Sequence, residues 1–201
     1  GWTPPSYPGV RHGGPALIPP HVGGNTRANL VAGRFTFINQ ARPIGWLPDW
    51  NGGDFPGRLW EYNLHYFDWL WLMEAQEAHE TALDWIARHR PTRGATGWEP
   101  YPTSLRLVNW CGVLFGRDRT ATEADAATRD TLWRSIWTQA EWLARNLEYH
   151  LGGNHLLENA AALAVAGAWF AGAAADRWLE AAVCVLAREI PEQILPDGMH
   201  Y

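Results

Sequence analysis

Apolar residues recur at helical spacing along most of the chain after Glu61, and short polar breaks separate the runs. The first run is apolar on nearly every side, which is typical of a helix buried among neighbours. It contains Leu64, Phe67, Leu70, Trp71 and Met73. The later runs predict a helix capped at Pro102-Thr103-Ser104 and continuing through Leu114, then helices over about 123–150, 154–170 and 176–194. Because the connections are short and no strand–helix–strand alternation occurs, the pattern predicts an all-α body of helical hairpins.

The first 59 residues differ from the rest, because they hold most of the prolines and many of the glycines. Runs such as Thr3-Pro4-Pro5 and Pro19-Pro20 exclude a long helix. One alternating segment, residues 34–39, predicts a short strand. The chain is therefore expected to divide into an irregular N-terminal arm over 1–59 and a helical domain over 60–201.

Composition then narrows the classes of function. The 201 residues carry 16 Arg, no Lys and 21 acidic residues, for a formal charge of −5. A nucleic-acid partner is not expected, because phosphate neutralisation needs a basic stripe and these arginines are scattered. The most apolar window, 160–175, is shorter than the roughly 20 residues that span a bilayer, so no membrane partner is expected. The 14 Trp favour a carbohydrate cleft lined by aromatic faces.

The two cysteines, Cys111 and Cys184, each lie in an apolar helical run. That placement predicts two buried free thiols, with a disulfide between them as the alternative.

Polar residues that interrupt the apolar runs mark the candidate sites, because a buried polar group needs a partner. Asn63, His65, Tyr66 and Asp68 lie within the most apolar run, and the spacing of His65 and Asp68 lets them meet on one helix face. An internal hydrogen bond that positions the helix explains the same pattern.

A second set of polar residues follows the Trp98–Tyr101 segment. Arg106, Asn109 and Trp110 share a face by their spacing of three and four residues. A guanidinium, an amide and an indole side by side suit a carboxylated sugar. Packing around a buried arginine is the alternative.

The third set opens the helix predicted after Gly152-Gly153. Asn154, His155, Glu158 and Asn159 fall within about 140° of its circumference. A helix N-terminus favours an anion, since its free N–H groups and the dipole are positive there. A His-x-x-Glu pair without a third ligand is a weak metal motif, so no metal is expected, and a plain helix cap is the alternative. The last residues, His200 and Tyr201, add two proton-transfer groups beside a predicted turn.

Four segments together resemble the signature blocks of heparinase II/III-like proteins. They are WEYNLHYFDWL from Trp60, PYPTSLRLVNW from Pro100, GNHLLEN from Gly153 and LPDGMHY from Leu195. Members of that family are polysaccharide lyases with an incomplete (α/α) toroid followed by antiparallel β-sheet domains. The resemblance covers roughly residues 35–201. It therefore implies part of the toroid, with a C-terminal β-sheet region expected in the full-length protein.

The resemblance also implies a reaction, the β-elimination of a uronate-containing polysaccharide. The C5 proton is removed, the C4–O bond breaks and an unsaturated uronate end remains, which requires a neutralised carboxylate, a base and an acid. By resemblance, Asn154 is the charge neutraliser, His155 the base or orienting group and Glu158 its partner. The family's proton-transferring Tyr lies a few residues beyond this block, and Tyr201 is the available candidate. No cofactor is implied.

The expected partner is an acidic polysaccharide. Its candidate contacts are Trp60, Asn63, His65, Tyr66, Trp98, Tyr101, Arg106, Asn109, Trp110, Asn159 and His200. The family suggests a bacterial periplasmic or secreted protein, although the sequence itself names no compartment. These 201 residues alone are expected to fold without lyase turnover, because the later Tyr, a later His and the β-region are not among them.

Two other functions compete with the lyase. A non-catalytic glycan-binding or scaffold module would keep the same toroid without the chemistry. A glycoside hydrolase would need a pair of carboxylates, for which only Glu158 with Asp68 or Glu61 is available.

Overall fold

The computed structural model describes residues 6–54 and 57–199. Within these ranges the chain forms eight α-helices and one two-stranded hairpin. The helices are α1 (Arg27–Val31), α2 (Arg58–Tyr66), α3 (Ala75–Arg88), α4 (Pro100–Trp110), α5 (Arg119–Ala124), α6 (Ala126–Ala144), α7 (Gly153–Trp169) and α8 (Ala173–Gln193). Two 3₁₀ segments cover Asp68–Leu72 and Thr96–Trp98, and a π-helical segment, Cys111–Arg117, continues α4. The predicted all-α class is confirmed.

The first apolar run forms two short helices, whereas the sequence predicts one. α2 stops where Phe67 takes a left-handed backbone conformation with φ of 62°, and the first 3₁₀ segment follows. The Phe67 ring is fully buried, with its centroid 5.3 Å from that of Trp50, 4.9 Å from Trp69 and 5.2 Å from Trp110. Such a backbone costs roughly 1–3 kcal/mol, and packing of the ring among three indoles offsets it.

α4 begins earlier than its predicted cap. Glu99 occupies the N-cap and Pro100 is the first helical residue, a position where proline is favoured because its absent N–H is not needed. Ser104, predicted as part of the cap, is buried one turn inside the helix and donates to the Pro100 carbonyl at 2.9 Å.

The helices on either side of the Gly152-Gly153 turn also differ from their predicted limits. α6 begins after Asp125, whose carboxylate accepts from the Ala127 N–H, and it ends at Ala144, before the predicted limit near 150. Gly152 and Gly153 have φ of 61° and 55°, which glycine adopts without steric cost. Gly152 is the N-cap of α7, so Asn154 is the second residue of that helix and does not cap it.

The N-terminal arm is more regular than predicted. Strands β1 (Arg34–Phe37) and β2 (Gln40–Pro43) pair antiparallel, and Ile38 and Asn39 turn the chain with positive φ, as a two-residue hairpin requires. The rings of Phe35 and Phe37 are buried, 5.0 Å from Trp69 and 4.9 Å from Trp60 respectively. The hairpin therefore belongs to the core of the helical body.

The segment before α1 lies over the helical body. Val10 forms an isolated antiparallel bridge with Phe170, and the Tyr7 hydroxyl donates to Asp130 at 2.9 Å. These contacts attach the arm to the end of α7 and the start of α6.

The core lies between α2, α4, α6 and α7, and α8 forms a hairpin with α7. Most of the tryptophans are buried in it: Trp50, Trp60, Trp69, Trp85, Trp98, Trp110, Trp133, Trp137, Trp169 and Trp178. Their abundance therefore reflects packing and does not indicate a sugar cleft, which corrects the inference from composition.

The two thiols differ in burial. Cys111 is a buried free thiol, as predicted, whereas Cys184 is free but exposed, because α8 packs against α7 along one side only. Within residues 6–54 and 57–199, none of the helices combines the length and apolarity needed to cross a bilayer.

Candidate active site

The first turn of α7 presents Asn154, His155 and Glu158 together at the surface. Asn154 is exposed, while His155 and Glu158 are partly buried. Tyr101, from the first turn of α4, lies against them, with its ring centroid 4.4 Å from that of His155 and its hydroxyl hydrogen-bonded to Asn154. The predicted trio is thus brought together, and it gains a tyrosine from a second helix.

His155 is oriented by a carboxylate that sequence analysis missed. Its Nδ1 lies 3.3 Å from Oε1 of Glu148, in the turn before α7. Glu148 is only 7% exposed, and its other carboxylate oxygen accepts from Asn159 Nδ2 at 3.1 Å. When Nδ1 donates to the carboxylate, Nε2 of the neutral ring is left as a proton acceptor. This arrangement gives His155 the tautomer that a base requires.

Asn159 holds this carboxylate in place. It is fully buried, accepts from the Glu148 N–H at 2.9 Å and donates to Ser104 Oγ at 2.9 Å. The amide therefore ties the turn before α7 to α4. A direct contact between Asn159 and a polysaccharide, which the sequence predicts, is excluded by that burial.

Glu158 lies where its proton is held more tightly than usual. Burial raises the pKa of its carboxyl, and its charge in turn contributes to the raised pKa of the Tyr101 hydroxyl, for which burial is the main cause. Burial therefore favours the protonated form of this carboxyl more than it would for an exposed glutamate.

A row of tyrosines extends the site along α2. The Tyr66 ring centroid is 6.0 Å from that of Tyr101, and burial is the main cause of the raised pKa of the Tyr66 hydroxyl. Burial also raises the pKa of Tyr62 to about 12, with help from its hydrogen bond to Glu99, which in turn pairs with Arg58. These hydroxyls therefore stay protonated at neutral pH and act as hydrogen-bond donors. Tyr62 and Glu99 were not predicted from the sequence.

Asn63 and Asn109 support this row. Asn63 is partly buried and donates to the Leu59 carbonyl at 2.8 Å. Asn109 is nearly buried, with its amide donating to the Tyr66 carbonyl at 2.9 Å and its oxygen accepting from Trp71 Nε1 at 2.8 Å. Both Asn109 groups are thus occupied within the protein, and the residue positions Tyr66.

The remaining predicted contacts lie inside the core. Their side chains are between 0% and 3% exposed: Trp60, His65, Trp98, Arg106 and Trp110. A polysaccharide cannot reach side chains from which solvent is excluded. The prediction that they line a cleft is therefore wrong for this structure, and the packing alternative holds.

The contacts of Arg106 show how a charged side chain is accommodated in the core. Its guanidinium donates to Gln139 Oε1 at 2.7 Å, to Thr103 Oγ1 at 3.3 Å and to the His65 carbonyl at 3.3 Å. It also lies 4.1 Å from the centroid of the Trp85 ring, a cation–π contact. Burial lowers the pKa of Arg106, and these oxygens and the indole face take the place of water around the charge.

His65 and Asp68 do not meet, contrary to the sequence prediction. Nδ1 of His65 accepts from Trp85 Nε1 at 3.1 Å, and burial lowers the pKa of His65 well below its usual value. Asp68 accepts from the N–H of Trp69 at 2.7 Å, since the left-handed Phe67 turns it away from α2.

Two predicted residues, His200 and Tyr201, lie outside the described residues. Within the described part of the chain, no group of three or more His, Cys, Asp and Glu side chains is placed to hold a metal ion.

Comparison with known proteins places this geometry in context. The family model described as Heparinase II/III N-terminus matches residues 64–201, more than half of the chain. A search of curated proteins gives no match.

Solved structures give the fold. A mutant of heparan sulfate lyase HepC from Pedobacter heparinus is similar to this chain, with 20% sequence identity and a TM-score of 0.69. A heparinase III gene product with methylated lysines is also similar, with 17% sequence identity and a TM-score of 0.68. Each match covers 87% of this chain but only 30% and 32% of the respective relative. The chain therefore spans about a third of the length of these proteins and shares their incomplete (α/α) toroid.

Proposed function

Because the chain belongs to the heparinase II/III family, we propose that it is the toroid part of a polysaccharide lyase that cleaves a uronate-containing chain by β-elimination. One observation carries the proposal: the exposed face of α7, where Asn154, Glu158 and Tyr101 surround a His155 that Glu148 orients. The solved relatives named as heparan sulfate lyases support an acidic polysaccharide as the substrate class.

The first requirement of the reaction is a stabilised carboxylate. The proton at C5 is weakly acidic, and its removal places negative charge on the adjacent carboxylate group. Asn154 supplies an amide donor at the positive end of α7, and Glu158 supplies a carboxyl whose pKa burial raises. Both donate to the substrate carboxylate as charge develops.

The second requirement is proton transfer. Nε2 of His155 removes the C5 proton, and the His155–Glu148 pair stabilises the imidazolium that forms. The electron pair of the C5–H bond forms the C4–C5 double bond as the C4–O bond breaks. The leaving O4 takes a proton from Tyr201 or from the tyrosine that follows it in the family, and His200 contacts substrate.

The substitution Asn154→Ala tests this assignment when it is made, like the other variants assayed for turnover, in a form of the protein that includes the regions following Tyr201. Loss of one donor to the developing charge is expected to lower turnover by roughly 10²–10³, measured by ultraviolet absorbance of the unsaturated uronate over a panel of uronate polymers. Because Asn154 is exposed and does not cap α7, the free energy of unfolding should change by less than about 1 kcal/mol. Asn29→Ala, an exposed asparagine on α1, is the matched control and should retain activity.

Two outcomes would contradict the proposal. Turnover of Asn154→Ala within a few-fold of the parent would leave the residue no role in charge neutralisation. Saturable binding of a uronate polymer without any unsaturated product, in a form that includes the regions following Tyr201, would instead support the glycan-binding module.

A further inference from the structure

Two arginines without partners line one pocket at the surface. Most arginines in the described part of the chain pair with a carboxylate, as Arg88 does with Asp84 and Arg129 with Asp130. Arg90 and Arg134 are exposed, and neither guanidinium makes an ion pair or hydrogen bond to a described residue. Their charges are therefore available to a ligand.

The pocket lies between the end of α3 and the middle of α6, with a volume of about 430 Å³. This is within the range of about 300–1,000 Å³ that is usual for small-molecule sites. It shares no lining residue with the α7 face, since neither Tyr101, His155 nor Glu158 contributes to it.

The balance of charge in the pocket is positive. Asp130 is the acidic residue of its lining, and its carboxylate already accepts from Arg129 and from the Tyr7 hydroxyl. Those two bonds lower the pKa of Asp130, so it keeps its charge and its partners at neutral pH. Arg134 also lies close enough to Asp130 to contribute to its lowered pKa, so the lining carries two guanidinium charges against one carboxylate and its net charge is positive.

Neutral polar groups stand beside the two cations. Ser135 Oγ accepts from Gln139 Nε2 at 3.2 Å, which leaves its own proton free to donate. His89 Nδ1 lies 2.9 Å from the Trp85 carbonyl and must donate to it, so Nε2 of the neutral ring is an acceptor. Burial lowers the pKa of His89 and so favours that neutral form.

The remaining walls are apolar. Ile86, Pro91 and the otherwise buried Trp98 line the pocket.

We propose that this pocket is a second site, beyond the proposed lyase function, which binds a uronic-acid unit of a saccharide. The carboxylate binds Arg90 and Arg134, the ring packs against Ile86 and Pro91, and hydroxyl groups bond to Ser135 and His89. A carboxylate without a sugar ring makes only the contact with the two arginines. A neutral sugar makes the other contacts but lacks the one with the arginines.

The test is calorimetric titration of the protein with a disaccharide that carries glucuronate at its non-reducing end. This probe has no 4-linked leaving group, so β-elimination cannot consume it. Arg134→Gln and Arg90→Gln should each weaken binding by roughly tenfold to a hundredfold, as expected for loss of a charged hydrogen-bond donor. Arg177→Gln, an exposed and likewise unpaired arginine on α8, removes the same charge elsewhere and should change affinity by less than about threefold.

Further arms separate the sources of binding. The same disaccharide with its carboxylate reduced to an alcohol should bind at least about tenfold more weakly, and so should acetate. Equal binding of either compound would overturn the proposal. Equal losses in Arg134→Gln and Arg177→Gln would also overturn it, because they would indicate attraction by overall charge. A loss of probe binding in Asn154→Ala that equals or exceeds the loss in Arg134→Gln would assign the binding to the α7 face and overturn the proposal.

Discussion

Two clusters of polar residues show the same helical spacing in the sequence, but the structure buries one of them and leaves the other accessible to solvent. Arg106, Asn109 and Trp110 share a face in the second half of α4, and that face is sealed between α2, α3 and α6. Asn154, His155 and Glu158 share a face at the beginning of α7, where the chain has just turned at Gly152. Spacing along a helix predicts which side chains lie together, but the neighbouring elements that pack on that face determine whether they reach solvent.

The two clusters also differ in how many protein partners their ionisable side chains have. Arg106 is held by three protein oxygens and is fully buried, so no ligand reaches its guanidinium. His155 has a single protein partner at Nδ1, and its side chain remains 38% exposed. A group with one fixed partner and one free atom is suited to proton transfer, whereas a fully bonded group is suited to holding helices together.

The largest expected difference between the two clusters is the loss of folding stability when Arg106 is replaced. Lysine keeps the charge but cannot bond to Gln139, Thr103 and the His65 carbonyl while stacking on Trp85. Arg106→Lys should therefore lower the free energy of unfolding by about 2–4 kcal/mol, measured by urea denaturation, with KM unchanged.

Arg27→Lys is the matched control, since Arg27 pairs with Glu77 on the surface, and it should leave the free energy of unfolding nearly unchanged. A raised KM with normal stability would return Arg106 to the substrate cleft.

The next effect concerns the orientation of His155. Glu148→Gln keeps the size of the side chain but removes the charge that fixes the Nδ1–H tautomer and stabilises the imidazolium. We expect kcat to fall by roughly 10–100-fold with KM little changed, and the acidic limb of the kcat pH profile to shift, since a base must be deprotonated to act. An unchanged pH profile with a lower melting temperature would show that Glu148 only anchors Asn159. Glu141→Gln, whose carboxylate pairs with Arg145, serves as the control and should keep normal turnover.

The smallest effect is a pH dependence of stability at Glu158. Burial raises its pKa in the folded state, so the favourable contribution of the protonated form is complete below the unfolded pKa, near 4.5, and is lost as pH rises through the folded pKa. Glu158→Gln should therefore be slightly more stable than the parent at pH 7, by roughly 0.5 kcal/mol, with the difference disappearing below about pH 4.5.

Glu192→Gln, at an exposed position near the end of α8, should show no such pH-dependent gain. Thermal melts of both variants across this range would measure the difference. A Glu158→Gln protein that is less stable than the parent at pH 7 would mean that the ionised carboxylate has a favourable partner, and would remove it from charge neutralisation.

The sequence determined the class of fold and the polar face of α7. Long apolar runs with short breaks fix helices because buried helical faces need that periodicity, and the order of four motif blocks was sufficient to identify the family. The trio Asn154, His155 and Glu158 could be predicted because neighbours on one helical turn are set by local geometry alone.

Only the tertiary structure decided which polar groups remain accessible. Phe67 breaks the first helix because three indoles surround its ring, and Arg106 is buried because Gln139 and Trp85 arrive from other helices. Glu148 and Tyr101 join His155 from a turn and from α4, at separations along the chain that no helical period relates. The physical reason is that spacing specifies contacts within one element, whereas burial and electrostatic partners depend on how separate elements pack.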